Sequence, residues 1–263
     1  MDPLRNARAL PDDVRRTLDQ LVVSRRGADP QSYMITEDIV GHVAPGACYR
    51  LGADRLVPVD GACARPDAPE DPGAPPPHVR LRGVWNRVEQ VASTDANILG
   101  GLGTLTLSQD DLDIPEAPTT PAALAFYGAR LLAVGDPVMF ETAQNLPVTI
   151  MNIGPAYVAG YLHVEGLGSG SFIEYHDRPH LHMPLEDTAS GHILLGRSEG
   201  DEYLLSAFAI PYGHAIYTPP YVLHADPYLV GRYLVVYSVT ETYSTVVFRS
   251  REGRLIDTRI VTT

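Results

Sequence analysis

Twelve residues, HDRPHLHMPLED from His176 to Asp187, carry three histidines and three acids. His180 and His182 stand two apart, so on extended backbone both imidazoles leave the chain on one face. Glu186 follows four residues after His182, near enough for its carboxylate to reach the same centre after a bend. Pro179 and Pro184 stiffen the backbone on either side. Imidazole nitrogens with a carboxylate form a donor set for a borderline divalent metal. A further donor from another strand would close such a site. His224 is the candidate, in GHAIYTPPYVLHAD, where Gly213 opens a strand and Pro219-Pro220 enforce the turn before the histidine. The expected ligands are thus His180, His182, Glu186 and His224.

These residues need a stiff β frame, and the chain supplies one. From residue 147 onward, PVTIMNI, YVAGYLHVEG, SFIEYH, HILLGR, EYLLSAFAI, HAIYTP, RYLVVYSV and STVVFRS are short β-branched or aromatic runs separated by turn material. That pattern predicts an all-β antiparallel sandwich or barrel over 147–263. Residues 1–146 read as an N-terminal extension with a short helix and β-arms, its strands free to join the barrel sheets. Leu10, Val14, Leu18 and Leu21 predict a helix within residues 8–24, and APTTPAALAFYGARLL suggests another. PDAPEDPGAPPP, residues 66–77, is half proline and predicts an extended linker. GGLG matches neither a dinucleotide fingerprint nor a P-loop.

The two histidine segments resemble the paired motifs of the cupin superfamily. The first such motif is a glycine, five residues, HxH, three or four residues, a glutamate, six residues and a glycine. His180, His182 and Glu186 fit its centre, whereas Gly170 lies too early and Gly191 and Gly196 stand off register. The second is a glycine, five residues, PxG, two residues, a histidine, three residues and an asparagine. Gly213, Pro219 and His224 match it in register; Tyr221 replaces its second glycine and Tyr228 its asparagine. The likeness covers roughly residues 150–250. It implies a double-stranded β-helix (jelly-roll) barrel, one divalent metal per chain on a 3-His/1-Glu centre, and a homodimer. Fe(II) is the favoured metal, with Zn, Mn or Ni as alternatives.

Such a centre leaves coordination positions open for a small polar organic substrate. Fe(II) with O2 would make the chain a dioxygenase or related oxygenase. A Lewis-acid metal would instead make it an isomerase, epimerase or lyase, and a third reading is a non-catalytic small-molecule-binding barrel. Candidate catalytic residues are Tyr175, Tyr217, Tyr221 and His176. Candidates for substrate binding are Arg232, whose fork suits carboxylate or phosphate, Tyr161 as a cavity-lining ring, and Arg178, which with Asp177 could gate the cavity mouth.

Bulk properties narrow the partners. A formal charge of −12 over 263 residues argues against nucleic acid or an anionic membrane surface. All 20 basic residues are arginine, which excludes a lysine Schiff base. No run reaches transmembrane length, and the polar start MDPLRNARALPDD lacks a signal-peptide core. A cytoplasmic protein is expected. Cys48 and Cys63 make no CxxC pair; they could form one disulfide, and free thiols are the favoured reading.

Overall fold

The computed structural model describes residues 10–61, 63, 74–86, 103–240 and 242–262. Most of the 66–77 linker and the GGLG loop lie outside the described residues. The fold is mostly β, as the alternation predicts.

Two large sheets carry the architecture. The first has eight strands, running in the order Ser24–Arg26, Tyr33–Val43, Leu146–Ile153, Leu229–Val236, His180–Pro184, His214–Thr218 and Arg130–Ala133. The short strand Ser190–Gly191 pairs off Leu229–Val236. The second sheet closes on itself: Phe172–His176, Leu223–Ala225, Ile193–Glu199, Glu202–Phe208, Val79–Asn86, Gly103–Leu107 and Tyr243–Arg249. Strands from both sides of residue 146 share these sheets. Tyr33–Val43 pairs with Leu146–Ile153, and Val79–Asn86 with Glu202–Phe208. Strands of the first 146 residues thus join both large sheets.

The two-residue period of the strands sorts the side chains into layers. Leu81, Leu105, Leu107, Leu194, Leu205, Leu223, Ala225 and Val246, drawn from around the closed barrel, form its own apolar core. The opposite face of the same strands turns Ile193, Leu195, Leu204 and Phe208 toward the eight-stranded sheet. There they pack with Met151, Ile153, Ile216, Tyr233 and Val235. A third layer lies behind the eight-stranded sheet. The small sheet of Leu56–Val59, Cys48–Leu51 and Pro137–Met139 contributes Tyr49, Leu51 and Val138 to a cluster with Leu181, Met183, Tyr217, Leu234 and Val236. His180–Pro184 is consequently buried on both faces.

Cys48 and Cys63 form a disulfide rather than the expected free thiols. Cys48 sits on the small sheet, and the bridge ties residue 63 back to that layer.

The helices are shorter than their periodicity predicts. The first is broken into Asp12–Arg16 and Leu18–Leu21 at Thr17, whose hydroxyl bonds back to the Asp13 and Val14 carbonyls. That local competition for the backbone is a known helix interrupter. The second spans Pro121–Phe126, with Pro121 opening it and the Thr120 hydroxyl capping the Ala123 amide. Among the described residues no helix is long and apolar enough to cross a membrane.

Candidate metal centre

Three of the histidines meet between the two large sheets. His180 comes from the eight-stranded sheet; His176 and His224 come from adjacent strands of the closed barrel. Each arrives by strand alternation. Leu181 and Met183 point into the outer cluster, so His180 and His182 point inward. Leu223 and Ala225 fill the barrel core, so His224 turns to the other side. Ile173 belongs to that barrel core and Tyr175 packs against it, which sends Glu174 and His176 the same way as His224.

The ring nitrogens converge. His224 Nε2 lies 3.1 Å from His176 Nε2 and 3.2 Å from His180 Nδ1. One ligand atom from each of the three fits within 4.8 Å of the others, so these residues could hold a metal ion. His224 Nδ1 lies 2.9 Å from the Val222 carbonyl, which takes its proton and leaves the Nε2 lone pair facing the other rings. Burial first, and then the neighbouring rings, depress basicity: His176 falls to about 3, and His180 well below its ordinary value. Burial likewise lowers His224 to about 4. All three are neutral imidazoles near pH 7, the form a metal requires. Three lone pairs packed together with no acid among them fit a cation better than they fit one another.

His182 borders this trio with its ring centroid 5.8 Å from that of His180. Its Nε2 lies 3.2 Å from Asp226 Oδ2, and its buried Nδ1 has no hydrogen-bond partner among the described residues. Burial works to raise the Asp226 carboxyl, but the His182 bond and nearby positive charge hold it below the usual value. Glu174 stands directly across from His224 in the neighbouring strand. Its carboxylate accepts a 2.6 Å bond from the Thr245 hydroxyl, and burial raises it to about 7.

Glu186 does not join the histidines. Its Oε1 accepts from Arg232 Nη1 at 3.0 Å, and Arg232 also binds Glu37 at 2.8 Å, all on the partly exposed outer face of the eight-stranded sheet. Arg232 alternates with Tyr233 and Val235, which face inward, so it cannot reach the site. The expected carboxylate ligand and the expected substrate anchor are thus each other's partners. Of the four expected ligands only His180 and His224 lie in the cluster of three; His176 is its third member, and His182 and Glu186 stand outside it.

The candidate tyrosines divide similarly. Tyr217 is fully buried in the outer cluster, under the Arg130 guanidinium and edge-on to Phe140. Tyr175 packs on Trp85, on the face of its strand opposite His176. Tyr221 is exposed in the turn before His224. None of these three faces the histidines. Tyr161, by contrast, does face inward: YVAGYLHVEG, expected as a strand, instead forms a π-helical turn, Val158–Leu162, with Tyr161 stacked on Tyr157 at 5.4 Å. That turn packs closely on the turn after Arg26. A side chain at Gly27 would collide with the Gly160 carbonyl, and one at Gly160 with Ser32. Arg178 is buried at the loop joining the two histidine strands and is paired with Asp177 at 2.7 Å.

Two inward residues gave no motif signal. Arg25 sends its side chain toward Tyr157, and Tyr237 is half-buried with its ring edge-on to His180. No sequence pattern points to either; only strand pairing brings them here.

A closed seven-strand barrel with three adjacent histidines is compatible with a cupin-like metal site. No family model matches the chain, and no curated protein or solved structure matches it.

Proposed function

We propose that this chain is a cupin-like, metal-dependent enzyme acting on a small polar organic substrate, and that it is an Fe(II)-dependent oxygenase. The observation that carries the reading is the convergence of His176, His180 and His224 from two different sheets on one point. Three neutral nitrogen donors leave the remaining positions of a divalent centre to substrate and O2. When bound, Fe(II) supplies the electron chemistry that no protein side chain offers.

The chain's own residues do the rest. The Val222 carbonyl fixes the His224 tautomer and ring direction. Tyr157, Tyr161 and Tyr237 wall the interior with ring faces and hydroxyl tips, limiting bulk water beside the histidines. Asp226 holds the His182 ring in place. Glu174, with a carboxyl near neutrality and a tether to Thr245, is able to hold or yield a proton at its free oxygen.

Glu174 also supports a second reading, an isomerase or lyase in which the metal serves as a Lewis acid. Loading the protein with Fe(II) or with Zn(II) and screening small hydroxy, keto and phenolic acids separates the two. The oxygenase reading expects substrate-dependent O2 uptake with Fe(II) only, absent in His224→Ala. Solvent deuterium entering a substrate with Zn(II), without O2 uptake, would establish the second reading instead.

A further inference from the structure

We propose that Arg25 binds the carboxylate of the substrate, and that the substrate is a planar, aromatic or enolic carboxylate. The inference deepens the reading of the histidine cluster as a metal-holding site and rests on it.

Arg25 is the middle residue of the strand Ser24–Arg26, whose two flanking side chains are exposed while Arg25 is partly buried. Its Nη1 lies 3.5 Å from Tyr157 Oη and 3.7 Å from Met34 Sδ, and its Nε is sealed from solvent. Both partners, Met34 and Tyr157, belong to the layer packed between the two large sheets. Arg25 therefore stands in the same interior as the histidines, where Arg232 does not.

Charge decides what this interior accepts. Asp226 offsets Arg25, and Arg178 is offset by Asp177. Three imidazoles bring no charge to a divalent ion. Whether Glu174 is protonated or ionised, these described groups together with a divalent ion sum to a net positive charge, and a buried net charge is costly unless countered. An anionic ligand supplies the counter-charge. The guanidinium presents a planar fork of donors matched to a carboxylate. Beside it the parallel rings of Tyr157 and Tyr161, only 14° apart in plane, offer a flat apolar wall that suits a flat ligand.

The test uses benzoate and its neutral isostere benzamide, titrated by calorimetry into the metal-loaded and metal-free protein. Metal content is measured first in every sample. The wild type is expected to prefer benzoate by roughly tenfold or more, the scale of one charge-assisted pair. Arg25→Gln should bring the preference close to one while retaining its metal, and Arg25→Lys should keep part of it. Should Arg25→Gln fold poorly, the Arg25 Nε–H resonance, assigned by its loss in Arg25→Lys, must shift with benzoate and not with benzamide. An unchanged preference in Arg25→Gln, or a resonance indifferent to benzoate, overturns the proposal. A wild type that holds no metal yet prefers benzoate through Arg25 would remove the metal reading and leave the anchor standing.

Discussion

The Tyr221 amide donates to the His176 carbonyl at 2.8 Å from a left-handed backbone, φ +66°. The turn that precedes His224 is thereby pinned to the strand end that carries His176. This bond adds to the pairing of the two strands in holding His176 and His224 in register. The position is also where the second cupin motif carries glycine, and its backbone has the conformation glycine prefers.

A glycine there should relieve strain without disturbing the site. Tyr221 is exposed, so its ring contributes little packing. Tyr221→Gly is expected to leave stability unchanged or raise it by up to about 1 kcal/mol, while Tyr221→Val lowers it by about 1–3 kcal/mol. Urea unfolding measures both. A large loss in the glycine variant would mean that the ring, not the backbone, matters.

Acid should destabilise the metal-free protein well above the range in which ordinary carboxylates protonate. His176, His180 and His224 are lowered in the fold from 6.5, so below about pH 6.5 the unfolded chain binds their protons and the folded one does not. Glu174 is raised from 4.5 to about 7 and acts oppositely, since unfolding releases its proton. Between about pH 4.5 and 6.5, three protons taken up less one released leave a net uptake of two on unfolding. Stability should then fall by about 2–3 kcal/mol per pH unit as pH drops through that window. Glu174→Gln removes the opposing proton and should steepen the fall. Denaturant midpoints at pH 7, 6 and 5 give the slope, and a flat profile contradicts the buried neutral histidines.

The disulfide makes a simpler prediction. Thiol titration of the unfolded, non-reduced protein should find no free thiol, and two after reduction. The bridge closes a loop of 15 residues in sequence separation. Its loss in Cys63→Ser should cost about 2–4 kcal/mol. Two free thiols in the untreated protein would restore the expectation drawn from the cysteine spacing.

How much of this was legible beforehand follows from what each signal encodes. Strand alternation is local, so the all-β class and the inward pairing of His180 with His182 could be read directly. The distant His224 was reachable because its turn chemistry, Pro219-Pro220, is written beside it. Glu186 was misread because sequence distance says nothing of which way the chain leaves Pro184. The strand ends at Pro184 and the chain bends to the outer face, where Arg232, itself paired with Glu37, meets the carboxylate. His176 was undervalued for a related reason: it ends a strand of the other sheet, and only the folding of that sheet onto the first brings it opposite His180. Arg25 and Tyr237 depend on long-range pairing alone.

The central claim is that His176, and not Glu186, completes the centre with His180 and His224. Metal content of the purified protein should therefore be measured by plasma mass spectrometry in the wild type, His176→Ala and Glu186→Gln, each checked for intact folding. Glu186 belongs to a partly exposed ion pair worth about 0–1 kcal/mol, so its substitution should spare the fold. The account predicts close to one metal ion per chain in the wild type and in Glu186→Gln, and a severe loss in His176→Ala. Full metal in His176→Ala together with loss in Glu186→Gln would contradict it.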